Sequence, residues 1–402
     1  MDIPTIPPGR HHSIAVETAT PGIVVRQVET KRDRDQFIQL AWSLYQDDPN
    51  WVPPLIAEMR TRLTPGKNPY FEHAEAALFV AERDGKIVGR ISAQVCQLAQ
   101  QHQGPGTGHF GFFEAENSQP TADALFSAAE QWLLQRDMKT MVGPFNLSIN
   151  EEAGMLVAGF HSPPYIFMGH HLPYYDSLVA GAGLQKQIDL LAYELDIVKA
   201  HSPRFDRLLR ATARGTNITM RTVDKKRLHT ELAMVLDVFN EAWSDNWGHI
   251  PMTDAEVNEL AMLLRRVFDT DAVILAEIDG ELAGFIVAIP NLNELTADLD
   301  GKLFPLNWLR LLYRLKFGSC RSVRVPLMGI RKQYQSTRTG AALALSLIER
   351  CRQSNVKKGV RFSELSWILE SNTAMRGILD AMESPITKTY RMYSKPLSPD
   401  HG

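Results

Sequence analysis

Residues 80–89 read Val80-Ala-Glu-Arg-Asp-Gly-Lys-Ile-Val-Gly89, and residues 275–284 read Leu275-Ala-Glu-Ile-Asp-Gly-Glu-Leu-Ala-Gly284, the same pattern at an offset of 195 residues. At that offset, residues 25–29 (Val-Arg-Gln-Val-Glu) also match residues 220–224 (Met-Arg-Thr-Val-Asp), and a basic pair follows each match. Two matches with one offset are hard to produce by chance, so the sequence predicts two copies of one domain. The length agrees, because 402 residues are more than one ordinary hydrophobic core holds.

The composition narrows the class of protein. Hydrophobic residues make up 44% and charged residues 22%, values typical of globular domains and not of disordered chains. The net charge is −3, whereas nucleic-acid-binding proteins usually have an excess of basic residues, so no nucleic-acid partner is expected. The three cysteines lie far apart without metal-ligand spacing, and the first twenty residues contain no apolar signal segment. We therefore expect a cytoplasmic protein with reduced thiols and no bound metal.

Both halves predict the same order of elements. Asp84-Gly85 and Asp279-Gly280 each stand between two apolar runs, which is the strongest short-range signal for a β-hairpin. A strand and an amphipathic helix precede each hairpin, and strand, helix, strand, helix and strand follow it. This order indicates an α/β fold (α+β, with a mixed sheet) that has helices on both faces. The predicted boundaries are a disordered tail over 1–22, a first domain over 23–197, a linker over 198–216 and a second domain over 217–398.

The second half carries a family resemblance. Arg324-Val-Pro-Leu-Met-Gly-Ile330 is the predicted fourth strand, and Gln335-Ser-Thr-Arg-Thr-Gly340 leads into a helix over 341–353. This arrangement resembles the acyl-CoA N-acyltransferase (GNAT) fold, and over roughly residues 24–397 the chain is similar to bacterial proteins with two GNAT domains. In that family the loop has two glycine-type positions, and its backbone N–H groups bind the pyrophosphate of coenzyme A at a helix N-terminus. Here Gln335 and Gly340 match, whereas Arg338 replaces the middle glycine.

The resemblance implies a co-substrate and its site. Acetyl-CoA or a longer acyl-CoA is expected to bind along the fourth strand and the following loop. The residues implied are Met328, Gly329, Ile330, Gln335, Arg338, Thr339, Gly340 and Asn372. After its own fourth strand the first half has an acid, Glu116, and no glycine, so we expect this half not to bind coenzyme A in the usual way.

Candidate catalytic groups lie near the end of the second copy. Strict alternation along the fifth strand would place Glu364, Ser366, Ile368 and Glu370 on one face. Glu364 and Glu370 are therefore candidate bases for deprotonating an acceptor ammonium, the alternative being internal salt bridges. Leu379 stands near the family's usual position for a proton-donating tyrosine, so Tyr390, with Tyr393, is the candidate acid on the last strand, the alternative being packing residues.

Trp247 and His249 lie where the family places acceptor-binding residues, and the alternative is a loop anchor. The insertion at 302–317 combines large apolar residues with Arg310, Arg314 and Lys316. Such a basic amphipathic segment can lie on an anionic membrane, at its inner face, or cover a lipid-like ligand; the alternative is a helix packed on the other domain.

These features predict an acyl-CoA-dependent N-acyltransferase that acts on an amine, with its active site in the second copy. A long-chain or lipid-like amine is one candidate acceptor. The alternative is a catalytically silent protein of the same fold that binds acyl-CoA or an interaction partner. The acceptor amine, the acyl length and the oligomeric state are left open.

Overall fold

A computed structural model describes residues 15–16, 22–199, 202–213, 217–267 and 270–398. The chain divides into two compact units: the first comprises 1–163, 168–189 and 390–402, and the second comprises 164–167 and 190–389. Within the described ranges, no helix combines the length and the hydropathy that crossing a bilayer requires.

The first unit is built on a mixed sheet in which neighbouring strands are antiparallel, except for the parallel pair β5–β6. Its strands are β1 (Ala15–Val16), β2 (Val24–Gln27), β3 (Ala74–Arg83), β4 (Lys86–Cys96), β5 (Thr107–Ala115), β6 (Thr140–Gly143) and β7 (Met155–Ala158). Its helices are α1 (Lys31–Leu44), α2 (Ile56–Arg62), α3 (Gln97–His102), α4 (Gln119–Leu134) and α5 (Tyr175–Gly181). The apolar face of α4 packs on this sheet and closes the core, with Leu125, Ala129 and Leu133 fully buried.

The second unit repeats this plan. Strand β8 (Gln185–Asp196) enters it from the first unit, and the later strands are β9 (Ile218–Thr222), β10 (Val273–Ile278), β11 (Glu281–Pro290), β12 (Ser322–Ile330), β13 (Phe362–Leu369) and β14 (Ile386–Pro396). Its helices are α6 (Pro203–Ala213), α7 (Leu228–Trp243), α8 (Asp254–Val267), α9 (Asn293–Thr296), α10 (Asn307–Phe317), α11 (Arg338–Lys357) and α12 (Thr373–Ala381). The pair β12–β13 is parallel, as β5–β6 is in the first unit.

The two predicted hairpins are confirmed. Asp84 and Gly85 have φ of 50° and 76°, and Asp279 and Gly280 have φ of 52° and 85°. Positive φ at both central residues is the mark of a type I′ turn, whose twist matches that of the flanking strands. Aspartate and glycine accept this backbone conformation more readily than most residues.

The last strand of each unit does not come from the half of the sequence that forms the rest of that unit. In the first unit, β6 pairs with the end of β14, for example Gly143 with Tyr393, although β14 comes from the end of the chain. In the second unit, β13 pairs with the end of β8, for example Glu364 with Glu194. Each compact unit is therefore completed by a strand from the other half of the sequence, unlike the contiguous boundaries predicted at 197 and 217.

The predicted linker over 198–216 also contributes to the second unit. Within it, α6 packs against α11 and α12, and Phe205 is fully buried in the core. Residues 200–201 and 214–216 of this segment, and most of the predicted tail over 1–22, lie outside the described residues.

Candidate active site

A wedge-shaped cleft opens between β12 and β13 in the second unit. The two strands pair in parallel from Ser322–Phe362 to Val325–Leu365, and the pairing ends there. At the same level β12 bulges against β11 around Val325-Pro326, and β13 bulges against β8 around Ser366-Trp367. Pro326 has no N–H to continue a ladder, and bulges bend a strand away from its partner. The two strands therefore diverge beyond Val325 and Leu365.

The cleft edge of β12 presents backbone groups. Arg331 N donates to the Ala283 carbonyl at 2.9 Å, so the register turns the peptide groups of Met328 and Ile330 away from β11, toward the cleft. Their carbonyls accept from the Trp243 indole Nε1 (3.1 Å) and the Gln335 amide Nε2 (2.9 Å). The N–H groups of Met328 and Ile330 stay available to a ligand carbonyl.

The loop after β12 forms a tight turn at the start of α11. Thr337 caps the helix, its hydroxyl accepting from Gly340 N at 3.0 Å, and Ser336 has a left-handed φ of 59°. Among the described residues, the backbone N–H groups of Ser336, Arg338 and Thr339 have no acceptor. Free N–H groups at the positive end of a twenty-residue helix favour a phosphate.

Acidic side chains hold the start of this loop in place. Arg331 donates to Asp237 at 2.7 Å and also to Glu241, while Glu241 accepts from Lys332 N at 2.7 Å. Lys332 also pairs with Asp245 at 2.7 Å, and this contact lowers the pKa of Asp245. The Arg338 guanidinium is exposed and donates to the Ala211 carbonyl at 2.6 Å. The Arg338 side chain thus lies outside the turn. Arginine at the position of the family's glycine therefore leaves the backbone N–H groups of the turn unobstructed.

A buried row of charged side chains lies directly below the cleft. Arg324, Glu364 and Glu194 are register partners on β12, β13 and β8, so they share one face of the sheet. Ser366 joins two of them: its hydroxyl accepts from Arg324 Nε at 2.9 Å and donates to Glu364 Oε1 at 2.8 Å. Burial raises the pKa of Glu364 to about 7, although Arg324 opposes the rise.

The short segment 164–167 covers this row. Tyr165 donates to Glu194 at 2.9 Å, and the Ile166 carbonyl accepts from the Arg324 guanidinium at 3.1 Å. The Arg324 guanidinium also stacks 4.7 Å from the centre of the Trp367 ring. Glu364 is consequently fully buried, and the Ser366 hydroxyl donates to its carboxylate.

The predicted common face for Glu364 and Glu370 is wrong. Opposite β8, Leu365 pairs with Tyr193 and Ile368 pairs with Leu191, so the bulge inserts one residue and reverses the alternation. Leu365 and Ile368 therefore share the apolar face, and Ile368 does not share a face with Glu364. Glu370 follows the end of β13, where its carbonyl accepts from Arg376 at 2.8 Å.

Of the other predicted site residues, some are buried in a core, one caps a helix and two lie in a loop. Tyr390 is fully buried and belongs to the first unit, and Leu379 is fully buried in the core of the second. Asn372 caps α12 by accepting from Met375 N at 3.1 Å. Trp247 and His249 lie half-buried in the loop between α7 and α8, where the His249 ring meets the Phe239 ring edge-on at 5.5 Å.

In the first unit the equivalent cleft is filled by the chain itself. Beyond the short parallel pairing of β5 and β6, Phe145 N donates to the Phe110 carbonyl at 2.7 Å, and the Asn146 side chain accepts from Phe112 N at 2.6 Å. Gly111 permits this contact, because a Cβ there would lie 1.8 Å from the Phe145 oxygen. The backbone edge that a ligand would use is therefore occupied.

The loop before α4 is likewise occupied by a carboxylate. Glu116 accepts from Arg83 at 2.6 Å and from Thr121 at 2.8 Å.

The two adjacent histidines of the first unit have separate partners. His170 pairs with Asp48 at 2.8 Å, and His171 accepts from Leu156 N at 3.0 Å. Within the described residues, no three His, Cys, Asp or Glu side chains meet in a way that could hold a metal ion.

Comparison with known proteins identifies the family. Bacterial ceramide synthase of Caulobacter vibrioides (strain NA1000 / CB15N) is 43% identical over 373 residues, which cover 92% of this chain and 96% of that protein. Protein YghO of Escherichia coli (strain K12) is 40% identical over 375 residues, covering 93% and 95%. This chain belongs to the same family. No protein-family model matches the sequence.

Solved structures show that this family has the tandem GNAT fold. A tandem GNAT protein from the clavulanic acid biosynthesis pathway superposes with a TM-score of 0.54 at 13% identity, covering 94% of this chain and 99% of that one. A GCN5-related N-acetyltransferase from Sphaerobacter thermophilus gives 0.54 at 13% identity over 95% and 98%. The fold and the duplication predicted from sequence are confirmed.

Sequence reasoning missed two residues of this GNAT cleft. Trp243 reaches Met328 from α7, and Arg324 anchors the buried row. An arginine in an otherwise apolar strand is a usable signal, since a buried guanidinium needs partners. Trp243 carries no such signal, because its partner lies 85 residues away.

Proposed function

We propose that the second unit catalyses transfer of an acyl group from an acyl-CoA thioester to the amino group of a long-chain, sphingoid-type amine. The carbon–sulfur bond of the thioester breaks and an amide bond forms. The leaving thiolate takes up one proton to give coenzyme A, and the acceptor ammonium loses two protons overall, one of them to solvent. Neither oxidant nor metal is required.

The observation that carries this proposal is the difference between the two clefts. The second unit keeps an open wedge lined by the N–H groups of Met328 and Ile330, next to the free N–H groups at the start of α11. In this arrangement an extended thioester would lie along β12 with a phosphate at the start of α11. An N–H group aimed at the thioester carbonyl would stabilise the negative charge that develops there during attack by the amine.

The proposed proton acceptor is Glu364, acting through the Ser366 hydroxyl. A carboxylate whose pKa lies near 7 holds a proton weakly enough to release it and strongly enough to take it from an amine. Ser366 contacts Glu364 at 2.8 Å and stands at the level where the strands diverge. Glu364→Gln is expected to lower kcat at least about a hundredfold while leaving acyl-CoA affinity within about twofold.

The acceptor class rests on the relative named bacterial ceramide synthase. A ceramide is the amide of a fatty acid and a long-chain amino alcohol, so the name denotes acyl transfer to such an amine. Palmitoyl-CoA and sphinganine are therefore the substrates for a first assay, with mass spectrometry of the amide and titration of the released thiol as readouts.

A matched pair at one position tests the binding site. Arg338→Pro removes one free N–H at the first helical position, where proline is tolerated, and the extended Thr337 (φ −108°, ψ 164°) suits a following proline. Arg338→Ala removes the side chain and keeps the N–H. We expect at least about a tenfold loss of acyl-CoA affinity for Arg338→Pro and a smaller loss for Arg338→Ala, by calorimetry.

Equal affinities for both variants and the wild type would exclude this turn as the phosphate site. Tight acyl-CoA binding without thiol release from any of a series of short- and long-chain amines would instead favour the catalytically silent alternative. Absence of binding to every acyl-CoA would overturn the donor assignment.

A further inference from the structure

One surface of the second unit is strongly apolar and uncovered in the described part of the chain. Helix α10 and the turn before it expose eight large apolar side chains, each with between 38% and 79% of its area accessible: Phe304, Leu306, Trp308, Leu309, Leu312, Tyr313, Leu315 and Phe317. Helix α10 has no buried residue. We call these eight residues the α10 face. Monomeric soluble proteins rarely expose so much contiguous apolar area unless it binds something.

The helix is held along its opposite side. Arg314 donates to the Leu295 carbonyl at 2.6 Å, Asn307 donates to the Lys302 carbonyl at 2.8 Å, and Leu311 is half-buried. At 100° per residue these three positions lie within about 60° of one another, whereas Leu309, Leu312 and Tyr313 lie on the opposite half of the helix. Trp308, Leu315 and Phe317 lie at its two sides. The apolar face is thus turned outward by the same contacts that fix the helix to the unit.

The segment that carries the face has basic side chains and no acid of its own. Residues 301–320 contain no Asp or Glu, and the exposed cations are Arg310, Lys316 and Lys302, which pairs with Asp300. Asp298 pairs with Arg310 at 2.8 Å and with Arg314 at 2.6 Å from behind the helix. Lys316 lies 5.2 Å from the Phe317 ring centre and has no acidic partner among the described residues. The exposed apolar area and the Lys316 cation therefore favour an apolar occupant that carries anionic groups.

We propose that the α10 face docks on the interface of an anionic phospholipid bilayer, with the helix lying in the plane of the membrane. Leucine and phenylalanine side chains would enter the acyl-chain region, while Trp308 and Tyr313 sit at the head-group level that aromatic residues with a polar atom prefer. Lys316 would contact lipid phosphates, and Arg310 would do so by exchanging its exposed pair with Asp298. A second copy of the chain is a poorer occupant, because a symmetric contact would bring Lys316 against a like-charged face.

Vesicle co-sedimentation of the full chain tests the surface. The wild type is expected to sediment with vesicles of equimolar phosphatidylglycerol and phosphatidylcholine, and much less with phosphatidylcholine alone or at high salt. The double variants Trp308→Ser/Leu312→Ser and Arg310→Glu/Lys316→Glu are each expected to bind the anionic vesicles at least about tenfold more weakly. Met262→Ser and Lys225→Glu, at exposed positions elsewhere in the unit, serve as matched controls and should bind like the wild type.

A second measurement does not depend on disruptive variants. Brominated lipids should quench the wild-type tryptophan fluorescence, and Trp308→Phe should keep vesicle binding but lose most of that quenching. Absence of binding to the anionic vesicles, or binding that the α10 variants leave unchanged, would overturn the proposal. So would a dimer that Trp308→Ser/Leu312→Ser disrupts without any vesicle binding. Vesicle binding needs no acyl-CoA, so failure here is separable from failure of the proposed acyltransferase activity.

Discussion

At the scale of single residues, Gly340 sets the shape of the turn before α11. A Cβ at this position would lie 2.1 Å from the Tyr334 carbonyl oxygen, closer than any real Cβ contact. The turn and α11 can approach each other only without a side chain there. The positions of the Ser336, Arg338 and Thr339 N–H groups depend on that approach.

Replacement of Gly340 therefore has a sharp expected effect. Gly340→Ala should lower acyl-CoA affinity at least about tenfold and destabilise the chain by about 1–3 kcal/mol, because the Tyr334 peptide has to move. The control is Gly377→Ala in α12, where an added Cβ meets nothing within 4 Å and a gain of about 0.5–1 kcal/mol is expected. Calorimetry and chemical unfolding measure both, and an unchanged affinity in Gly340→Ala would contradict the assignment.

The buried Glu364 makes stability depend on pH. Its pKa rises from an ordinary 4.5 to about 7 on folding, chiefly because burial disfavours the charged form. Between these values the folded state binds more protons than the unfolded state. The free energy of unfolding contributed by this group therefore falls as pH rises through that window.

Glu364→Gln should remove this part of the pH dependence. When the pH rises from about 5 to about 8, the wild type should lose about 2–3 kcal/mol of unfolding free energy that the variant does not lose. Urea unfolding at both pH values measures the difference. A constant difference between the two proteins would mean that Glu364 keeps the same charge throughout.

At the scale of elements, the end of β14 completes the first unit although it lies at the end of the sequence. Tyr393 pairs with Gly143 of β6, is almost fully buried in the core and donates to Asp176. Arg391 pairs with Asp189 at 2.8 Å, and Lys395 pairs with Glu130 at 2.6 Å. The strand is thus held by core packing and by ion pairs at both ends.

Truncation of Tyr393 should loosen a part of the chain that is remote in sequence. Tyr393→Ala is expected to cost about 3–5 kcal/mol and to lower amide-exchange protection in β6. Ser394→Ala, at a neighbouring exposed side chain, should change stability by no more than about 0.5 kcal/mol. Wild-type protection of β6 in Tyr393→Ala would show that β14 does not support that strand.

At the scale of the whole molecule, the two copies of one fold differ in their clefts: the cleft of the first unit is filled, and that of the second unit is open. In the first unit Asn146 occupies the β5 backbone edge, and Arg62 fixes the filling segment through Glu151 at 2.6 Å and the Asn146 carbonyl at 2.6 Å. The segment 143–152 therefore has a structural role in filling this cleft. In the second unit α12 begins soon after β13, and no such segment intervenes.

This asymmetry predicts one acyl-CoA per chain. Titration calorimetry should give a stoichiometry of one, and Gly340→Ala should weaken that single binding event. Two equivalent events, or one that survives in Gly340→Ala, would place acyl-CoA in the first unit. Asn146→Ala is a useful companion variant, since it frees Phe112 N and is expected to destabilise the filled cleft by about 1–3 kcal/mol.

Local patterns predicted the duplication, the two Asp-Gly hairpins and the order of elements, because turn chemistry and hydrophobic periodicity act over a few residues. The same local reasoning placed Glu364 and Glu370 on one face, and it failed there because a bulge at Ser366-Trp367 shifts the alternation by one residue. Which residues form the bulge depends on the register with β8, and that register is not a local property.

The sequence by itself determined that this protein is a duplicated α/β chain with a basic amphipathic insertion, and that only one copy keeps Gln335 and Gly340 of the family loop. Tertiary structure alone decided that the copies exchange their last strands, that Glu364 is buried beside Arg324, and that the α10 face is uncovered. The physical reason is range: propensity and turn preference are properties of neighbouring residues, whereas strand partners and burial depend on segments more than a hundred residues apart.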